Sequence, residues 1–162
     1  MIRHAQQTDL QAILAIYNDA ILNTTAVYTY EPVTLAEREA WFYSKLEKAE
    51  PVFVYIKNGE VVGFATYGPF RNWVAYQYTV EHSIYVAPET RHEGIASQLL
   101  TKLIDEITKN NFKTIVAGID ASNVGSIKLH QKYGFEACGN IKCVGYKFEQ
   151  WLDLAFYQLI LK

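Results

Sequence analysis

Pro88-Glu89-Thr90-Arg91-His92-Glu93-Gly94-Ile95-Ala96 is the stretch that decides how this chain folds. Ahead of it lies a β-rich run ending in Ser83-Ile84-Tyr85-Val86, which Pro88 stops because proline has no N–H to give a strand ladder. Behind it Ile95, Leu99, Leu100, Leu103, Ile104 and Ile107 recur at helical spacing as far as Asn110-Asn111, so a strongly amphipathic helix opens at Gly94. A strand, a tight loop and a helix start leave the first unpaired N–H groups of the helix pointing at the loop, at the positive end of its dipole. Such a place suits an anion, a pyrophosphate above all. Gly94 and Ala96 are small enough for phosphate oxygens to approach the main chain, and Arg91 adds a charge-assisted contact. Taken alone, Arg-x-x-Gly-x-Ala is equally an ordinary turn capped by glycine.

Working outward, the strand before the loop extends back to about Ala75. Tyr76, Tyr78, Val80, His82, Ile84 and Val86 share one of its faces, and Gln77, Thr79, Glu81, Ser83 and Tyr85 the other. Upstream, Val52 to Ile56 and Val61 to Tyr67 flank Lys57-Asn58-Gly59-Glu60, and Asn-Gly is the strongest short hairpin signal, so these strands are antiparallel. Gly68-Pro69 ends the second. Ile2 to Ala5 forms a short first strand. Thr8 with Gln11 opens a helix carrying Leu10, Ile13, Ile16, Tyr17, Ala20 and Ile21, and Thr34 with Glu37 opens another carrying Leu35, Trp41, Phe42 and Leu46. Downstream come a strand over Thr114 to Ile119, a helix over Asn123 to Tyr133 stopped by Gly134, and final strands over Phe135 to Cys138 and Trp151 to Leu161. The order β α α β β β α β α β β over residues 1–162 indicates one α/β domain.

Composition removes several classes. With 50% hydrophobic and 20% charged residues and a net charge of −2, the chain folds and carries no global positive field for nucleic acid or anionic lipid. Cys138 and Cys143 have no His or Cys partners at metal-ligand spacing, so neither a metal site nor a disulfide framework is expected. The N-terminal residues are polar where a secretory signal needs an apolar core, and no apolar run approaches a membrane-spanning length. A cytoplasmic protein is expected. Neither G-x-G-x-x-G nor a Gly-Lys-Ser/Thr P-loop occurs.

Arg91-x-x-Gly94-x-Ala96 after Ser83-Ile84-Tyr85-Val86, with Asn123-x-x-Ser126 and Gly134-Phe135 downstream, resembles the coenzyme A signature of the GNAT N-acetyltransferases. Ala15-Ile16-Tyr17-Asn18, Asn23-Thr24-Thr25-Ala26, Thr79-Val80-Glu81-His82-Ser83, Ala117-Gly118-Ile119-Asp120, Leu129-His130, Val144-Gly145-Tyr146-Lys147-Phe148 and Trp151-Leu152-Asp153 are similar to the phosphinothricin and methionine sulfoximine acetyltransferases within it. The resemblance implies a mixed central sheet splayed at its middle with helices on both faces. It implies acetyl-CoA as cosubstrate and no metal, a small-molecule amine as acceptor, and a homodimer.

For the cofactor, the resemblance implies that backbone groups of Ile84, Tyr85 and Val86 hold the pantetheine arm. The loop Arg91, His92, Glu93, Gly94, Ile95, Ala96 and Ser97 takes the pyrophosphate, and Asn123, Ser126 and His130 lie along the other side. Glu81 is implied as the base, because an α-ammonium has no lone pair until it loses a proton. It acts directly or through water. His130 stands where many relatives carry a tyrosine, either as proton donor to the thiolate or as a hydrogen-bond partner of the cofactor. Arg71 matches an arginine at the acidic end of the substrate, with Tyr78 and Thr25 shaping the pocket and Gln77 standing where the sulfoximine group has a second arginine. Tyr133 reads as packing, and His4, His82 and His92 have no partner at meaningful spacing. Acetylation of a protein N-terminus or an aminoglycoside, or acyl-CoA binding without catalysis, are the other readings.

Overall fold

In the computed structural model, which describes residues 1–162, the elements follow the expected order. They are β1 (Ile2–His4), α1 (Leu10–Asn23), α2 (Leu35–Glu47), β2 (Val52–Lys57), β3 (Glu60–Pro69) and β4 (Thr79–Val86), then α3 (Ile95–Lys109), β5 (Thr114–Asp120), α4 (Val124–Lys132), β6 (Glu136–Lys147) and β7 (Gln150–Ile160). The strands form one seven-stranded sheet in the order β1-β2-β3-β4-β5-β7-β6. All neighbours are antiparallel except β4 and β5. Asn58 and Gly59, at φ 52° and 79°, supply the left-handed pair that a two-residue hairpin needs, and so set β2 against β3.

Alternation along β3 sorts the helices onto two faces. Gly63 admits α3, since a Cβ there would stand 3.2 Å from Ile95 and 3.3 Å from Leu99. Phe64 points the opposite way and meets Trp41 of α2 edge-on at 6.2 Å, while Tyr85 of β4 meets Tyr17 of α1 at 5.4 Å. Thus α1 and α2 cover one face and α3 the other, where α4 joins it through a contact between His130 and His82. The apolar stripe of α3 is fully inside: Leu99, Leu100, Leu103 and Ile107 are 0% exposed. Each such side chain contributes about 2 kcal/mol gross, against the entropy of ordering it.

The sheet's middle carries the functional geometry. β4 and β5 pair over only three registers, Thr79↔Thr114, Val80↔Ile115 and Glu81↔Val116. Past that point β4 follows β3 as far as Val86, while β5 follows β7 as far as Asp120. The two strands diverge and leave a wedge.

Three local expectations need correction. The first helix is not capped by Thr8 and Gln11: Asp9 closes the turn, accepting 2.7 Å from the Gln6 N–H and two bonds from Arg3 at 2.7 and 3.0 Å. A buried carboxylate with a guanidinium across from it outcompetes an exposed hydroxyl. The fourth strand begins at Thr79, not Ala75, because Val74–Tyr76 forms a helical turn in an exposed loop; Tyr76, Gln77 and Tyr78 therefore belong to no strand face. The sixth strand reaches Lys147 rather than stopping at Cys138. Irregularities between Ala137 and Gly139 and between Ile141 and Gly145 break its alternation, so no period of two is written in its sequence.

Candidate active site

The wedge encloses a cavity of about 510 Å³. One wall is β4 from His82 to Val86; the other is Ala117 to Asp120 of β5 together with Asn123, Ser126, Leu129 and His130. The loop Arg91–Ser97 forms its mouth, save Glu93. Glu93 is turned aside and ion-paired with Lys57.

The helix start has the form expected of an anion site. Gly94 has φ 81°, which glycine adopts without strain, and a Cβ there would meet nothing within 4 Å. The first backbone bond of α3 runs from Gln98 N–H to the Gly94 carbonyl, so the N–H groups of Ile95, Ala96 and Ser97 precede the ladder. Arg91 stands beside them, exposed, and its guanidinium donates to Asp19 of α1 at 3.2 Å. His92, at φ 67°, is also exposed. The Ser97 hydroxyl shares a hydrogen bond with Tyr133 OH, to which Thr101 also donates at 3.0 Å. Tyr133 therefore does more than pack. Open space, free donors, a guanidinium and a mixed polar and apolar wedge fit a pyrophosphate with a long thiol arm.

At the narrow end, Glu81 projects from the face of β4 opposite His82, and its carboxylate overhangs Gly118 of the far wall. Burial raises its pKa above the ordinary carboxylate value. On the other face, His82 Nε2 and His130 Nε2 are 2.9 Å apart, and His130 Nδ1 donates to the Ser126 carbonyl at 2.7 Å. Burial lowers the pKa of both rings. His82 thus has a partner, contrary to expectation; a tertiary pairing between residues 48 apart leaves no mark in local spacing. Asn123 caps α4, its side-chain oxygen accepting from Ser126 N–H at 3.1 Å.

A second cavity of about 380 Å³ adjoins the first, sharing Ala26, Ile84–Val86, Arg91 and Asn123 with it and adding Ala20, Thr24, Thr25 and Ser122. The Thr25 hydroxyl donates to Asp120, which also accepts from Ser122 N–H and hydroxyl at 3.0 Å each. Lys147, buried, donates to the carbonyls of Thr24 and Val27 at 2.7 and 2.8 Å and fastens this loop to the β6–β7 hairpin. Arg71, Tyr78 and Glu81 line neither cavity; of the three, only Glu81 reaches a cavity wall, through its contact with Gly118. Arg71 is exposed over Trp73 and Tyr76, 5.3 and 5.8 Å from their rings.

Comparison with known proteins agrees with this geometry. A family model described as an acetyltransferase (GNAT) domain matches residues 2–156. An L-methionine sulfoximine/L-methionine sulfone acetyltransferase of Pseudomonas aeruginosa is 45% identical over 161 residues, 99% of this chain and 94% of the relative. The crystal structure of an N-acetyltransferase from Staphylococcus aureus superposes with a TM-score of 0.99 at 63% identity, covering 100% of this chain and 98% of that one. A phosphinothricin acetyltransferase from Sinorhizobium meliloti, solved with acetyl-CoA, has a TM-score of 0.97 at 38% identity, covering 99% of this chain and 88% of that one.

Proposed function

The chain belongs to the GNAT acetyltransferases, and from that premise we propose that it transfers the acetyl group of acetyl-CoA to the α-amine of a small amino-acid analogue. The class is that of methionine sulfoximine, methionine sulfone or phosphinothricin, on which similar enzymes act, and blocking the amine would detoxify such a compound. One observation carries the reading: free helix-start N–H groups at Gly94 stand at the mouth of a wedge whose far wall, at Gly118, is overhung by the Glu81 carboxylate.

Acetyl-CoA supplies the thioester. The N–H groups of Ile95, Ala96 and Ser97, with Arg91, hold its pyrophosphate. Backbone groups of Ile84, Tyr85 and Val86, released from pairing with β5, hold the pantetheine arm, with Asn123 and Ser126 across from them. Glu81 removes a proton from the substrate nitrogen, directly or through water. Its raised pKa suits the task, because a base works best when its pKa approaches that of the acid it deprotonates. A backbone N–H near Tyr85 stabilises the negative charge on the acyl oxygen as a fixed dipole. Thr25, Tyr78 and Arg71 are assigned to the substrate, Arg71 to its acidic end; that assignment requires the exposed loop carrying Arg71 to turn towards Glu81. With Gln77 in place of a second arginine, the acidic end meets a single guanidinium.

Two copies pair in this proposal. β6 is an edge strand, and Ile141, Val144 and Tyr146 on it are 47%, 49% and 43% exposed, beside Trp151 at 68%. An apolar edge is a template for another chain. The reaction is placed in the cytoplasm, where acetyl-CoA is available and exposed thiols such as Cys138 and Cys143 stay reduced; no helix is long and apolar enough to cross a membrane.

Thiol release from acetyl-CoA tests the function. Release is expected with methionine sulfoximine, methionine sulfone or phosphinothricin as acceptor. If only a peptide N-terminus or an aminoglycoside supports release, the substrate class is wrong, and if no amine does, the chain is an acyl-CoA binder.

A further inference from the structure

His82 and His130 meet at the apex of the wedge. His82 comes one residue after the last β4–β5 register, Glu81↔Val116, and His130 lies on α4 in the far wall. Their rings are 5.1 Å apart, and Phe135 closes the third side at 5.8 and 5.0 Å. Both are buried, at 8% and 5% exposure.

The protons on this row of nitrogens follow by elimination. His130 Nδ1 stands 2.7 Å from the Ser126 carbonyl oxygen, and a carbonyl only accepts, so Nδ1 carries a hydrogen. A neutral His130 then offers a lone pair at Nε2, and the 2.9 Å contact requires the hydrogen on His82 Nε2. His82 Nδ1 then keeps a lone pair: it is buried and makes no hydrogen bond of ordinary geometry, the nearby Val116 backbone acting on the ring only as a weak pull. Burial, then the neighbouring His130, pushes His82 down to about 3 against a smaller opposing pull from the Val116 backbone, and burial lowers His130 as well. The only titratable group facing each ring is the other ring; Glu81 projects from the opposite face of β4, and α4 and β5 present backbone carbonyls.

We infer that His82 is a positioning residue: its Nε2–H locks His130 in the Nδ1–H tautomer and ties α4 to β4 where backbone pairing ends, fixing the width of the wedge. The Asn123–Ser126 wall is thereby held at a set distance from Ser83–Val86. This role presupposes that the wedge holds acetyl-CoA. With both nitrogens of His130 occupied, that ring passes no proton to the thiolate and acts as part of the wall.

His82→Phe keeps a buried ring but removes the donor, and His82→Gln returns an N–H near the Nε2 position. His82→Phe is expected to weaken acetyl-CoA binding about tenfold by calorimetry and to raise its KM alike, with kcat within about twofold, while His82→Gln stays within about threefold of the unaltered protein. Equal binding by His82→Phe and the unaltered protein overturns the role, as does His82→Gln binding as weakly as His82→Phe. Failure of the unaltered protein to bind acetyl-CoA would instead remove the wedge as the cofactor site. Nitrogen-15 NMR of the unaltered protein needs no variant: His130 should show a protonated Nδ1 and a bare Nε2, and should titrate below the ordinary imidazole value because it is buried. The opposite tautomer, or titration at or above the ordinary imidazole value, overturns the role even if neither variant folds.

Discussion

The Glu81 carboxylate hangs over Gly118: a methyl group on that glycine would stand 3.1 Å from Glu81 Oε2, with Phe156 at 3.6 Å and Leu154 at 3.7 Å on its other sides. Any side chain at 118 therefore moves the proposed base. Alanine asks the carboxylate to give way by a few tenths of an ångström, whereas valine forces it off its position. We expect kcat to fall by less than about fivefold in Gly118→Ala and on the order of a hundredfold in Gly118→Val, since a misplacement of about 1 Å is worth that much. Equal kcat values across the three proteins would separate Glu81 from the chemistry.

Glu81→Gln should lower kcat by about 10²- to 10⁴-fold, the usual worth of a general base, while calorimetry shows acetyl-CoA binding retained. The same substitution should raise Tm at neutral pH. Burial lifts the folded-state pKa of Glu81 above its unfolded value, so the folded protein holds this proton more tightly. That stability is present below the unfolded pKa and lost as pH rises through the folded one. Above that value the ionised, buried carboxylate opposes folding, and a neutral amide does not. In the unaltered enzyme kcat/KM should fall on acidification through the raised Glu81 value, higher than an ordinary carboxylate.

The guanidinium of Arg91 is shared between the proposed pyrophosphate site and Asp19, 3.2 Å away on α1. An anion at Gly94 must compete with that carboxylate. Asp19→Asn should lower the KM for acetyl-CoA by about two- to fivefold, and Arg91→Ala should raise it by about tenfold, both with salt-dependent magnitudes because the pair is exposed. Steady-state kinetics at two ionic strengths would check it. A KM unmoved by Asp19→Asn would show that the pair does not oppose cofactor binding.

How much of this was legible in the sequence depends on where each signal lives. Elements whose burial is written as a period were found: the α3 stripe from Ile95 to Ile107, the Asn58-Gly59 hairpin, and the Thr34–Glu37 cap, where each backbone N–H meets the other side chain at 3.1 and 3.2 Å. β6 lost its alternation to irregular register, and its turn uses Phe148 and Glu149 at φ 53° and 60° where glycine or asparagine would have announced it. In the site, the loop 91–97 was legible because helix-start chemistry is local. Asp19 against Arg91, Lys147 under Thr24 and His82 against His130 were not, because each joins residues that only the fold brings together.

Lys147 and Gly145 hold the loop between α1 and α2 against the hairpin. The Lys147 ammonium donates to the Thr24 and Val27 carbonyls, Tyr28 OH donates to the Asp153 carbonyl at 2.9 Å, and the Tyr28 ring lies 2.7 Å from where a Cβ on Gly145 would be. Lys147→Met fills the same space but strands two carbonyls, a loss of about 1–3 kcal/mol, visible as a lower urea midpoint. Gly145→Ala must displace Tyr28. Both should raise the KM for the amine several-fold and affect acetyl-CoA binding less, because only Ala26 of this loop lines the wedge.

Trp151 and Tyr146 stack edge-on at 4.9 Å across the β6–β7 pair, yet Trp151 remains 68% exposed. Two aromatic rings left facing water, Tyr146 on the edge strand β6 and Trp151 on its neighbour β7, together with exposed Ile141 and Val144 make an unfavourable surface for a lone chain, and a second copy laid against the edge removes it from solvent. Sedimentation should therefore give the unaltered protein twice the 18.5 kDa of one chain. Trp151→Glu places a charge at the centre of that contact without touching the core, so it should yield monomers whose Tm, measured at low concentration, changes little. A monomeric unaltered protein, or a dimer indifferent to Trp151→Glu, would move the pairing surface elsewhere.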